Sequence, residues 1–220
     1  MLIMKASIHR HPRQYALATL VSLLVLTPLS DAEIVYTPAN VTLSGNGYII
    51  IPQNGGTREF AIQEITGSGD CGVVGVEFHS LVTVTPTAGN GVVAIDEEAS
   101  TLRPGTPIGP NQNFYGAQTP MADEYMSSGP PPCGPSYGGY WCNEDSGRLR
   151  PCFAIDAYLG LEAESKGNTY YGWAHFVFTP TSSPHPNFEV QLTGYAYETV
   201  PGQPINAGQT SDNVDDSSPR

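Results

Sequence analysis

Hydrophobic and polar residues alternate with period two through much of the C-terminal third of the chain. From 153 to 163 one parity carries Phe153, Ile155, Ala157, Leu159, Leu161 and Ala163, and the other carries Ala154, Asp156, Tyr158, Gly160 and Glu162. This alternation places successive side chains on opposite faces of a strand, one buried and one wet. Lys166-Gly167-Asn168 comes next, with residues that tolerate the positive φ of a tight turn. Residues 170–178 then set Ala174, Phe176 and Phe178 against Trp173, His175 and Val177, so the two runs predict an antiparallel hairpin. After a Pro- and Ser-rich loop at 181–186, a third run sets Phe188, Val190, Leu192 and Ala196 against Glu189, Gln191, Thr193 and Tyr197. Together the three runs read as a meander.

Earlier in the chain, residues 74–84 place Val74, Val76, Phe78, Val82 and Val84 on one side. Residues 48–51 and 58–65 form a shorter pair around a Gly/Pro-rich turn, and 91–95 add another strand. No window beyond the N-terminal segment sustains the 3.6-residue period of a helix. Six to nine strands with segregated faces predict an all-β fold, an antiparallel β-sandwich or jelly-roll. Residues 104–151 break the pattern with Pro130-Pro131-Pro132 and Tyr137-Gly138-Gly139-Tyr140-Trp141. They are expected to form a long disulfide-stapled loop on the surface. The expected layout is a signal peptide at 1–32, a single β-sandwich domain at 33–208 and a disordered acidic tail at 209–220.

The N-terminus supports that layout. Lys5, Arg10 and Arg13 precede an apolar run from 16 to 29, and Ser30-Asp31-Ala32 offers small residues where a signal peptidase cuts. The run is interrupted by Thr19, Ser22, Thr27 and Pro28, too short and too broken for a membrane span. The chain is therefore expected to be secreted, extracellular or periplasmic, with no span after cleavage. Composition narrows the partners. With 9 Lys+Arg against 21 Asp+Glu the net charge is −12, and losing Lys5, Arg10, Arg13 and Asp31 with residues 1–32 takes it to −14. A surface this acidic excludes nucleic acid as a partner class. The 24 Gly and 20 Pro are the turn residues of a β protein.

All four cysteines, Cys71, Cys133, Cys142 and Cys152, fall after the signal. An even count in an exported chain reads as two disulfides, and no C-x-x-C pair starts a metal site. Three connectivities are open; the favoured one joins Cys133 to Cys142 and Cys71 to Cys152.

Tyr171-Gly172-Trp173-Ala174, Gly194-Tyr195-Ala196-Tyr197-Glu198-Thr199 and Pro201-Gly202-Gln203-Pro204-Ile205-Asn206-Ala207-Gly208 resemble the last strands of a group of uncharacterised exported bacterial proteins. Many members of that PEP-CTERM-associated group end in a sorting signal of a Pro-Glu-Pro motif, an apolar helix and a basic end, which Ser217-Ser218-Pro219-Arg220 does not match. The resemblance implies export and a β-rich fold, and brings no catalytic residues with it.

Chemistry is sparse. No G-x-S-x-G, H-x-H or H-E-x-x-H pattern occurs, and no cofactor or metal motif is found. His79, His175 and His185 read as structural or exposed residues. Asp156, Glu162 and Glu164 share one strand face, with Glu162 and Glu164 about 7 Å apart, a spacing that glycoside hydrolysis also uses. Asp96-Glu97-Glu98 and the acids of 212–216 read as solvated charge. The most suggestive group is Tyr137, Tyr140 and Trp141, flat aromatics able to stack on a sugar ring or anchor a protein. The expected function is a structural or binding role at the cell exterior, its partner an extracellular polysaccharide or a surface protein. The alternatives are a carbohydrate-binding module and a secreted glycoside-active enzyme using strand carboxylates. Exposed aromatics beside a concave polar surface would favour binding; a His beside an acid would favour an enzyme.

Overall fold

The computed structural model describes residues 32–43, 46–49, 59–71, 75–128, 136–142, 152–181 and 187–211. The expected signal peptide, Val74, Cys133, His185 and the acids of 212–216 lie outside the described residues, as does the tail from 212 onward. Strands are numbered in chain order. One sheet runs β1 (Ile34–Leu43), β13 (Asn187–Glu198), β12 (Asn168–Thr181), β11 (Ile155–Ser165), β5 (Gly91–Ile95) and β6 (Glu98–Ala99), and β8 (Phe114–Tyr115) also pairs with β5. The second sheet runs β10 (Ser136–Gly138), β9 (Thr119–Ser128), β4 (Gly75–Pro86), β3 (Phe60–Cys71) and β2 (Asn46–Ile49). A two-strand ribbon joins β7 (Pro107–Ile108) to β14 (Ile205–Asn206). The fold is the antiparallel all-β sandwich that the alternation predicts.

The expected meander is present with its expected turn. Ser165 pairs with Asn168, so Lys166 and Gly167 alone make the β11–β12 turn, with φ of 51° and 77°. Two successive left-handed residues match the twist of the strands they join. The inward faces carry Leu159, Leu161, Ala174, Phe176, Phe178, Val190 and Leu192 from the first sheet. Phe60, Ile62, Val82, Val84, Met121 and Ala122 meet them from the second. Phe153 and Val76, at the outer ends of their expected runs, are exposed and add nothing to this core. Polar ties cross it. Glu64 on β3 accepts from Ser80 Oγ at 2.8 Å and from the Phe188 N–H of β13 at 2.9 Å. Buried Asn90 donates to Glu59 Oε2 at 2.6 Å and accepts from the Glu164 N–H at 2.9 Å. Buried polar groups are tolerated because they are paired in this way.

Period two fails at one place in β13. Leu192 pairs with Phe176 and Gly194 with His175, leaving Thr193 as an extra residue. Opposite it on β1 the register also slips, between Pro38 and Val41. A bulge reverses the parity of every later residue in its strand. Leu192 points into the main core, whereas Ala196, expected on the same face, joins a second apolar cluster with Trp173, Tyr171, Ile108, Ile205 and Ala207. Tyr195 and Tyr197 pack on the main core instead.

That second cluster lies on the outer face of the first sheet, under the β7–β14 ribbon. The Trp173 indole donates to the Gln209 carbonyl at 3.0 Å. Gly208 has φ of +82°, and a Cβ on it would sit 2.9 Å from the Tyr158 hydroxyl oxygen. A Cβ on Gly172 would sit 2.6 Å from the Ala196 carbonyl oxygen. Residues 171–174 and 194–208, which carry the family resemblance, therefore contribute chiefly packing and turns.

The described residues of 104–151 are not a plain loop excursion, because some of them pair into the sheets. They hold the short strands β7, β8 and β10, and β9, which is ten residues long and lies between β4 and β10 in the second sheet. Thr119–Ser128 hides its strand character because Pro120 sits at a register shift and Glu124, 3% exposed, occupies a buried position. The disulfide reading is corrected as well: Cys142 is bonded to Cys152, ten residues on. This excludes both Cys133–Cys142 and Cys71–Cys152. Peptide mapping without reduction is expected to give a Cys142–Cys152 cross-link, leaving Cys71 and Cys133 to each other. A Cys133–Cys142 peptide would overturn the pairing.

Candidate functional site

The aromatic cluster divides. Trp141 is fully buried; its ring meets Phe178 at 5.0 Å and the edge of Phe176 at 5.8 Å between centroids. The cause is local. Gly139 has φ of +84° and lies so close to β9 that a Cβ would fall 2.1 Å from the Met121 carbonyl oxygen. The Trp141 N–H then donates to that same oxygen at 3.1 Å. The turn drives the next large side chain between the sheets, and the Cys142–Cys152 bridge closes behind it. The indole N–H finds no hydrogen-bond partner among the described residues. Trp141 is thus a core residue. Tyr137 stands on β10 opposite Glu124. Tyr140 lines a surface cavity.

That cavity, about 340 Å³, opens beside the start of β11. Leu102 makes an isolated bridge to Tyr158, with N–H to carbonyl distances of 2.8 and 3.1 Å. Past this bridge the two chain segments separate, and the gap is lined by Ser100, Thr101, Arg103, Tyr140, Asp156 and exposed Ile95. Hydroxyls, one carboxylate, one guanidinium and a tyrosine thus meet at one cleft.

Beyond Asp156 the outer face of the sheet carries a connected row. His175 Nε2 lies 2.5 Å from Asp156 Oδ1, and His175 Nδ1 lies 2.5 Å from Thr193 Oγ1. Tyr158 stacks on the imidazole at 4.3 Å, Trp173 meets Tyr158 edge-on at 5.2 Å, and Tyr36 covers Trp173 at 5.8 Å. Burial, followed by the Asp156 charge, pushes the Tyr158 phenol up, so it stays a neutral donor. Reading each residue in isolation misses this row, because its members come from four strands. The usable signal is parity, which puts Asp156 and His175 on the outward faces of paired strands.

The other candidates are placed apart from the cleft. His79 lies over Gly67 on the outer face of the second sheet, near Asp123, whose carboxyl is pushed up by burial and drawn down by that histidine. Asp96 and Glu97, with φ of 51° and 66°, form the β5–β6 turn. Glu162 and Glu164 do share the outward face of β11, but neither lines the cavity. Comparison with family models, curated proteins and solved structures returns no match. Function has to be read from the chemistry of the site.

Both burial assignments are measurable. Trp141→Ala removes a filled core position and is expected to cost about 3–5 kcal/mol in denaturant unfolding; an unchanged midpoint would contradict the burial. Burial, with Glu164's charge second, pushes the Glu162 carboxyl up. A raised folded-state value means its stabilising contribution is complete below the ordinary carboxylate range and is lost as pH rises through the raised value. Glu162→Gln should therefore raise Tm at pH 7–8, with the gain shrinking toward pH 4. Equal Tm differences at both pH values would count against it.

Proposed function

We propose that this chain is an exported glycan-binding β-sandwich acting outside the cytoplasm. The observation that carries the reading is the cleft beside β11, which Tyr140 lines together with hydroxyl, carboxylate and guanidinium side chains. Sugars are recognised by that combination: a flat ring takes the C–H face, and planar polar groups take the hydroxyls in pairs. At about 340 Å³ the cavity has the size of a small-molecule pocket, and it is open on one side, as a polymer requires. The net charge of −14 after loss of residues 1–32 favours neutral polysaccharides over polyanions. Export is supported by the charged and apolar pattern of residues 1–32, by the buried Cys142–Cys152 bridge and by the resemblance of residues 171–174 and 194–208 to exported bacterial proteins. No cofactor enters this reading.

The test is a glycan array followed by titration calorimetry on the best polysaccharide. Tyr140→Ala and Arg103→Ala are each expected to weaken binding by about tenfold or more, roughly 1.4 kcal/mol, with circular dichroism unchanged. Retention on a surface-protein fraction with no glycan signal would overturn the reading in favour of a protein partner.

A further inference from the structure

Thr193, His175 and Asp156 meet the geometric signature of an activated hydroxyl: nucleophile and base within hydrogen-bond reach, and the base oriented by a third group. The partners fix the protons. An ionised carboxylate only accepts, so Asp156 Oδ1 at 2.5 Å requires the hydrogen on Nε2. In the tautomer with its hydrogen on Nε2, Nδ1 carries the lone pair, and the Thr193 hydroxyl oxygen lies 2.5 Å from it. The competing acceptor, the His175 carbonyl oxygen, is farther at 3.3 Å. Asp156 thus selects the tautomer in which the imidazole can take a proton from Thr193.

The backbone points the same way. Thr193 is the bulge residue of β13, and bulges re-aim a side chain. Gly194 is next in the chain, and the Tyr36 hydroxyl oxygen lies 2.9 Å from where a Cβ on Gly194 would be. The Tyr36 phenol is therefore packed over the residue next to Thr193. The row is reachable by solvent, with the His175 side chain 22% and the Asp156 side chain 69% exposed, and it shares Asp156 with the cleft.

We propose that Thr193 and His175 are catalytic residues, and Asp156 a positioning residue, of a hydrolytic site for short-chain carboxylic esters, such as O-acyl groups carried by a polysaccharide. Thr193 Oγ bonds to the acyl carbon as its proton passes to Nδ1. The ester C–O bond breaks and the departing alcohol oxygen takes the proton from Nδ1. Water then attacks the acyl-threonine, giving one proton to Nδ1. The acyl–Oγ bond breaks, Oγ recovers the proton, and a carboxylic acid leaves. The net change is ester plus water to acid plus alcohol, with no redox partner. A half-buried hydroxyl set into a sheet face is reached by a small acyl group on the outside of a chain. The choice of a polysaccharide ester rests on the glycan-binding reading; the chemical step does not.

The experiment uses the oxidised chain without residues 1–32. One arm follows p-nitrophenyl acetate, and a second follows acetate release from an O-acetylated xylan. Wild type is expected to exceed His175→Gln and Thr193→Ala by about 100-fold or more in the first arm, and Thr193→Ser is expected to keep activity. Asp156→Asn should lower kcat and displace the pH profile, which a merely structural contact would not do. Tandem mass spectrometry after fluorophosphonate labelling of the wild type should place the adduct on Thr193, a result that no folding defect can mimic. Wild-type rates no higher than those of His175→Gln, or an adduct elsewhere, would overturn the proposal. Hydrolysis of the soluble ester without acetate release supports the Thr193 step and counts against the polysaccharide ester.

Discussion

The arrangement of the molecule hinges on a single inserted residue, Thr193, in the strand that joins both apolar clusters. A strand that kept strict alternation would send every second residue of 188–198 into one core. The bulge instead lets the first half of β13 fill the sandwich with Phe188, Val190 and Leu192. Its second half contributes Ala196 to the outer cluster and Tyr197 to the inner one. One strand thereby holds the two sheets together and also fastens the β7–β14 ribbon to the outside. A bulge leaves ladder groups unpaired and increases local twist. Here it coincides with the slip between Pro38 and Val41 on the edge strand β1, so two neighbouring strands distort at the same level.

The fold is legible in the sequence wherever one face is uniformly wet. β11, β12 and their two-residue turn come directly from alternation and from Lys166-Gly167. β3, β4 and β5 come from their branched residues. Each element that alternation does not reach has its own physical cause. β9 places Glu124 inside and Pro120 at a register shift, so its sides do not separate by polarity. β1 carries Pro38, which an edge strand tolerates because its free side needs no ladder bond. Alternation assigns Ala196 to the wrong face because the parity count runs through a bulge that no single residue announces.

The aromatic cluster at 137–141 misleads for a different reason. Flat side chains in a Gly-rich segment look available for binding, yet glycine here serves close approach and not openness. Gly139 touches the backbone of Met121, the chain turns inward, and Trp141 fills the space between Phe176 and Phe178. The bridge from Cys142 to Cys152 joins the residue after Trp141 to the chain that leads into β11. Tyr140, one residue earlier, is only half-buried: it packs against the edge of the same core and lines the cleft. A one-residue difference separates a fully buried core anchor from a half-buried residue that also lines a cleft.

The outer face of the first sheet explains why polar chemistry collects where it does. Toward β14 that face is covered: Trp173 is capped by the Gln209 carbonyl, and Tyr158 rests on Gly208. From β1, Tyr36 covers Trp173 as well, and the Asp156 side chain is 69% exposed. Asp156, His175 and Thr193 stand at the boundary, where the covering ribbon lowers the dielectric on one side and water reaches the other. A hydrogen-bonded carboxylate and imidazole are expensive to bury completely and weak when fully exposed. At a half-covered boundary the pair keeps its geometry without losing access. Tyr158 fixes the ring from β11, Thr193 fixes it from β13, and the cleft begins at the same carboxylate. The bulge that divides the cores therefore also sets a polar row whose members hold one another across three strands of this sheet face.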